Sequence, residues 1–193
     1  MSDLDRPATA IRTGELVVYP TETVYGLGAD ALDSAAVERA FEAKGRERDN
    51  PMSLAVHTVE AVFDYTRASE RTRSFMRTFL PGPVTVLCDP GAEIPDVLTA
   101  GRNRVGVRVP DHEGAHSLLE RVAPLTATSA NVSGRPSARR VADLDEEIRA
   151  AAAVVLDGGE TPGGASTVVD VEAGEVVRRG ALADEVEAWL DEH

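Results

Sequence analysis

Residues 15–45, ELVVYPTETVYGLGADALDSAAVERAFEAKG, change periodicity twice, and the class of fold turns on how those changes are read. ELVVYP, 15–20, is a short apolar run closed by Pro20, the pattern of a buried strand. TETVYGLGADA, 21–31, is rich in Thr and Gly and reads as a loop. DSAAVERAFEAKG, 33–45, has helical spacing. Val37, Ala40, Phe41 and Lys44 share one face, Asp33 or Ser34 can cap the start, and Gly45 is a natural terminator. A buried strand, a polar loop and an amphipathic helix in direct succession indicate an α/β chain.

The alternation continues outward. MSLAVH, 52–57, reads as a strand, and helical stretches follow at about 58–67 and 69–80. PGPVTVLCD predicts a turn and then a strand at 84–88. RVGVRVP is a strand ended by Pro110, and 112–122 is helical. LTATS is a short strand leading into the loop SANVSGRPS. VADLDEEIRAAA is a helix, VVLDG a strand and GGETPGGAS a Gly-rich loop. TVVDVE and EVVRRG pair as strands before a closing helix, ADEVEAWLDEH, and these tandem strands argue for a mixed sheet. No repeat or low-complexity linker divides the chain, so one domain over 1–193 is expected.

Composition bounds the function. A chain of 193 residues buries enough surface to need no covalent staples. Aromatics are only 4%, so Val, Leu and Ala must build most of the core. A single Cys rules out an intrachain disulfide and fits a reducing cytosol, and Cys88 itself reads as core. There is no basic segment followed by an apolar one at the N-terminus, hence no expected secretory signal. No run of about 18 apolar residues predicts a membrane span. The net charge of −13 opposes binding to bulk nucleic acid or anionic membranes. Acid excess also matches cytosolic proteins adapted to concentrated salt, where the surface charge serves solvation. Of 20 basic residues, 19 are Arg, and the lone Lys44 stands beside Arg46 and Arg48.

Several motifs carry chemistry. HEGAH, 112–116, has the H-E-x-x-H spacing of a zinc site through His112 and His116, with Glu113 as base. Gly114 weakens such a helix and no third ligand is specified, so a polar helix start is the plainer reading. GLGADA, 26–31, matches G-x-G-x-x-A, but Gly26 comes six positions after Pro20, whereas a dinucleotide site places its first glycine at the tight turn. Lys44, Arg46 and Arg48 either neutralise a helix C-terminus or form an anion site. Thr128, Ser129, Asn131 and Ser133 offer hydrogen bonds just beyond a strand, where open α/β sheets bind ligands. Ser166 and Thr167 precede another strand. His57 ends a strand and is structural or functional. Arg108 interrupts an apolar strand, which is costly unless the cation is paired or faces a site.

Taken together and in order, YPTETVYGLGADA, KGRERDNPMSLAVH, PGPVTVLC, VGVRVPDH, TSANVSGRPS and GGASTVVD resemble the YrdC-like threonylcarbamoyladenylate synthases over about residues 10–181. The family's K-x-R and S-x-N elements fall on Lys44, Arg46, Ser129 and Asn131. Glu47 stands where the family often has Pro, and Arg178-Arg179-Gly180 where it often has R-P-G. Longer members carry a second C-terminal domain, and over the 193 residues read here only the first is expected. The resemblance implies a twisted open mixed α/β sheet with flanking helices around a concave site. It also implies a cytoplasmic enzyme that condenses L-threonine, bicarbonate or CO2 and ATP to threonylcarbamoyl-AMP and pyrophosphate, with magnesium carried by ATP. A separate complex would then transfer the threonylcarbamoyl group to tRNA. By the same resemblance Lys44, Arg46, Ser129 and Asn131 would be catalytic, and these four with Arg48 and Arg178 would bind ATP. Thr21, His57, Arg108, Thr128 and Ser166 would hold threonine. The competing expectation is an RNA-binding or regulatory protein on the same scaffold without synthase activity.

Overall fold

The first strand, β1 (Leu16–Tyr19), is buried along its whole length because its side chains part by parity into two cores. Leu16 and Val18 join the larger cluster, Val17 and Tyr19 the smaller. A strand covered on both faces reads as a continuous apolar run, which is why ELVVY does not alternate.

The computed structural model describes residues 4–122 and 124–193. In chain order the elements are α1 (Asp5–Arg12), β1, β2 (Gly26–Gly28), α2 (Ser34–Lys44), β3 (Ser53–Ala55), α3 (Val59–Tyr65), β4 (Thr66–Arg67) and α4 (Glu70–Phe79). Then come β5 (Val84–Pro90), α5 (Asp96–Thr99), β6 (Val105–Arg108), α6 (Glu113–Val122) and β7 (Leu125–Ser129). A 3-10 turn (Val141–Asp143) precedes α7 (Glu146–Ala151), β8 (Ala152–Val155), β9 (Thr167–Asp170), β10 (Glu175–Arg178) and α8 (Ala183–Glu192). The strands form one sheet in the order β10-β9-β5-β6-β3-β7-β2-β1-β8, with β4 added alongside β5. The pairs β1/β8, β3/β6 and β5/β9 are parallel and the others antiparallel, so the sheet is mixed as expected.

Helix α2 forms as its sequence directs. Asp33 accepts a hydrogen bond from the Ala35 amide at 2.9 Å, and Gly45 closes the helix in the left-handed region at φ 56°. Helices α1 and α6 cover one side of the sheet through Ile11, Leu118 and Leu119. The other helices bury Phe41, Val62, Phe75, Leu98, Ile148 and Trp189 on the opposite side. There Trp189 meets Phe75 edge-to-face at 5.1 Å and fastens α8 to α4.

Several elements depart from the sequence reading. The helices α1 and α5 were not expected. Part of the 21–31 loop is β2, which turns back on β1 (Val17 opposite Gly28, Tyr19 opposite Gly26) and pairs onward with β7. Its two glycines admit the Tyr19 ring, since a Cβ on Gly26 or Gly28 would stand 3.1 or 3.0 Å from ring carbons. The helix expected over 141–152 divides at Leu144 and Asp145, and β8 begins at Ala152, two residues before VVLDG. The ends of 58–67 are likewise trimmed, because Thr66 and Arg67 leave α3 to pair with β5.

Parity across the central strands sets up the site. Leu54, Val86, Val105 and Val107 face the larger core. The intervening Ser53, Ala55, Thr85, Gly106 and Ala127 face the other way, and all are small. Small residues on adjacent strands of a twisted sheet leave a hollow where larger ones would fill it.

Candidate functional site

That hollow is the floor of a cavity of about 460 Å³. Five guanidinium groups border it: Arg46, Arg102, Arg104, Arg108 and Arg178, with no Asp or Glu among the lining residues. In a chain of net charge −13, a lining whose charged side chains are all arginines runs against the composition and suits the cavity to an anion.

Lys44 lies just behind the wall. Its side chain is 1% exposed. Its ammonium donates to the carbonyl of Ser129, to that of Asn131 at 2.8 Å and to Asn131 Oδ1 at 3.4 Å, which accounts for all three of its N–H bonds. The Lys44 carbonyl accepts from the Ser133 amide at 2.8 Å. Burial, reinforced by the neighbouring Arg46 charge, lowers the lysine to about 8. The lysine and the 129–131 loop therefore belong to one structure, but the ammonium grips the loop from beneath and does not enter the cavity. Ser129 Oγ donates to Asn131 Oδ1, and the Asn131 amide donates to the carbonyls of Val132 at 3.0 Å and Arg135 at 2.7 Å. Asn131 is thus the internal brace of the loop, while Thr128 and Ser129 line the cavity.

Arg46 crosses from the end of α2 into the lining and is held by the Asn50 and Pro51 carbonyls, both at 2.8 Å. Burial and the Arg178 charge lower its pKa. Arg48 turns outward to pair with Glu38 and Glu42 and lies over the Phe41 ring at 5.3 Å, so it does not join the site.

The opposite end gathers hydroxyls. Thr21 Oγ1 and Thr23 Oγ1 are 3.0 Å apart, and Arg108 donates to Thr23 at 2.9 Å while pairing with Glu22 at 2.8 Å. The Arg108 Nε, although buried, has no hydrogen-bond partner among the described residues, which leaves a donor for a ligand. Ser166 Oγ is 3.0 Å from Thr85 Oγ1 and accepts from Arg178 at 3.0 Å. Burial, then Arg108, lowers the pKa of Arg178.

His57 stands apart. It lies two residues beyond the end of β3 and lines a second cavity of about 300 Å³ with Arg77, Pro81 and His116, whereas Ala55, the last residue of β3, lines the main cavity. The HEGAH motif is a helix start: His112 Nδ1 accepts from the Gly114 amide at 3.1 Å, a local cap. Sequence reasoning missed Arg102 and Arg104. The signal was present, because residues 102, 104, 106 and 108 alternate through GRNRVGVR and all line the cavity.

The fold and site together define an α/β domain with a cationic cavity on the concave face of a mixed sheet. Residues 9–180 match the family model Sua5/YciO/YrdC, described as telomere recombination, and the chain belongs to this family. It is 43% identical over 164 residues to the threonylcarbamoyl-AMP synthase of Pyrococcus abyssi, covering 83% of this chain and 48% of that relative. It is 40% identical over 166 residues to the synthase of Bacillus subtilis, covering 84% and 48%. The chain thus spans about half the length of these curated relatives. The crystal structure of P. abyssi Sua5 complexed with L-threonine superposes with a TM-score of 0.91 at 40% identity, over 96% of this chain and 56% of that one.

Proposed function

We propose that the chain is a threonylcarbamoyl-AMP synthase. The observation that carries this reading is the cavity itself: five arginines, no carboxylate, and hydroxyl groups at one end. The likeness to synthases at 43% and 40% identity, and to a relative crystallised with L-threonine, supports it. Threonine takes up CO2 on its amine to give a carbamate; with bicarbonate a water is released as well. A carbamate oxygen attacks the α-phosphorus of ATP, and pyrophosphate leaves with the electron pair of the broken P–O bond. Such a reaction needs positioning and charge neutralisation more than covalent help from the protein.

Arg108 would fork the threonine carboxylate, with Thr21, Thr128 and Ser166 around the rest of the amino acid. Arg46, Ser129 and Arg178 would meet the nucleotide. Lys44 and Asn131 hold the Ser129 loop in place. Among the described residues no group of three or more His, Cys, Asp or Glu is placed to hold a metal. Magnesium would enter on the triphosphate, where it would supply charge neutralisation. The product would pass to the machinery that modifies tRNA in the cytoplasm. No helix among the described residues is long and apolar enough to cross a membrane. Pyrophosphate release from ATP that requires both threonine and bicarbonate tests the proposal. Release independent of threonine, or ATP binding that is absent by calorimetry, would reject it in favour of a protein that binds other ligands.

A further inference from the structure

The five cavity arginines are not equivalent in charge. Arg108 is compensated by Glu22 at 2.8 Å, and Arg104 by Asp89 at 2.7 Å and Asp170 at 3.4 Å. Among the described residues Arg46, Arg102 and Arg178 form no ion pair with a carboxylate. Arg178 sits at the hydroxyl end, on Ser166. The other two share one short segment. Arg102 Nη2 donates to the Asp49 carbonyl at 2.8 Å, and Arg46 holds the carbonyls of Asn50 and Pro51, so two guanidinium groups clasp three consecutive peptide units.

Among the described residues these bonds leave Nη1 of Arg46 and most of the Arg102 fork without a partner. Arg102 is also exposed, whereas Arg46 is half-buried, which places Arg102 toward the mouth of the cavity. Two guanidinium forks without a carboxylate, tied to the same 49–51 segment and lining one cavity, one inner and one outer, suit an anion with oxygens on two linked phosphorus atoms.

We propose that Arg102, together with Arg46, forms the subsite for the β- and γ-phosphates of the nucleotide and for the pyrophosphate that departs. The inference rests on the synthase reading. Its position at the mouth matches the half of the nucleotide that must leave, and negative charge grows there as the P–O bond to the α-phosphorus breaks. Arg102 is then a binding residue particular to the pyrophosphate end, not a brace for the whole site.

Calorimetry of the full chain with ATP, inorganic pyrophosphate and AMP tests this, using the wild type, Arg102→Ala and Arg102→Lys. Arg102→Ala should weaken ATP and pyrophosphate roughly tenfold, the scale of one charge-assisted contact at an exposed position. AMP affinity and the KM for threonine should not change, and Arg102→Lys should recover part of the loss. Unchanged affinity for ATP and pyrophosphate in Arg102→Ala overturns the proposal. So does an equal loss for ATP, AMP and threonine, which would make Arg102 a tie for the Asp49 loop. If the wild type binds none of the three probes, the synthase reading itself fails and this subsite with it.

Discussion

Lys44 carries a charge into a place where burial opposes it, and the loop carbonyls around its ammonium keep it there. The consequence for pH has a definite sign. Below about 8 the lysine is protonated in both folded and unfolded chains, and the folded state bears the full burial cost. Between about 8 and the ordinary 10.5 the folded chain gives up a proton that the unfolded chain retains, so this group's contribution to stability improves as pH rises. Activity should move the other way, because neutral Lys44 grips the carbonyls of Ser129 and Asn131 less strongly. The rate of threonine-dependent pyrophosphate release should fall as pH passes about 8, and Lys44→Arg should push that fall to higher pH. A profile that is flat across this range in the wild type would deny the lysine its role. Lys44→Ala should lower the rate roughly a hundredfold or more, the scale of a lost electrostatic group in a reaction site. The lysine's position on the buried face of α2 was legible from the i, i+3, i+4 pattern. Its partners were not, because they lie 85 and 87 residues further along the chain.

At the scale of elements, the cavity depends on small residues at fixed parity. Gly106 on β6 faces Ser53 and Thr85 across neighbouring strands, and a Cβ there would collide with Ser53 Oγ and stand 3.0 Å from Thr85 Cγ2. Gly106→Val should destabilise the fold by about 1–3 kcal/mol and weaken ATP binding, since the floor must rise or the strands must part. Thermal unfolding and calorimetry check the two effects, and a stable variant with normal ATP affinity would show that the floor is not tight. Helix α2 offers a contrast. Asp33→Ala removes the cap on the Ala35 amide and should cost about 1 kcal/mol, or about 2–4 °C in the unfolding midpoint. Local rules made α2 readable, with Gly45 as its terminator and the cap narrowed to Asp33 or Ser34. The same rules missed β2, since a Gly-Leu-Gly strand has no propensity signal and exists because the Tyr19 ring needs the space above it.

At the scale of the molecule, a net charge of −13 surrounds a cavity whose charged lining residues are all arginines. The two respond to salt in opposite directions. Screening relieves repulsion among surface carboxylates, so the unfolding midpoint should rise as KCl increases from about 0.1 M to above about 1 M. Screening also weakens contacts with phosphate, so the KM for ATP should rise over the same range. A midpoint that falls with salt would remove the reading of the acidic surface as a solvation device.

What the amino-acid order determined unaided was local: where strand periodicity gives way to helix, how α2 begins and ends, and which loops carry hydroxyls and cations. Collinear motifs then placed the chain in its family. The tertiary structure alone decided which polar groups meet. The order β6-β3-β7 sets Gly106, Ser53 and Ala127 side by side although they are far apart in the chain. It brings Arg102 to the cavity, keeps Lys44 behind its wall, and leaves His57 in another hollow. Periodicity reports a residue's relation to its near neighbours, whereas a cavity is made by segments that approach only when the sheet forms, and no local pattern encodes that distance.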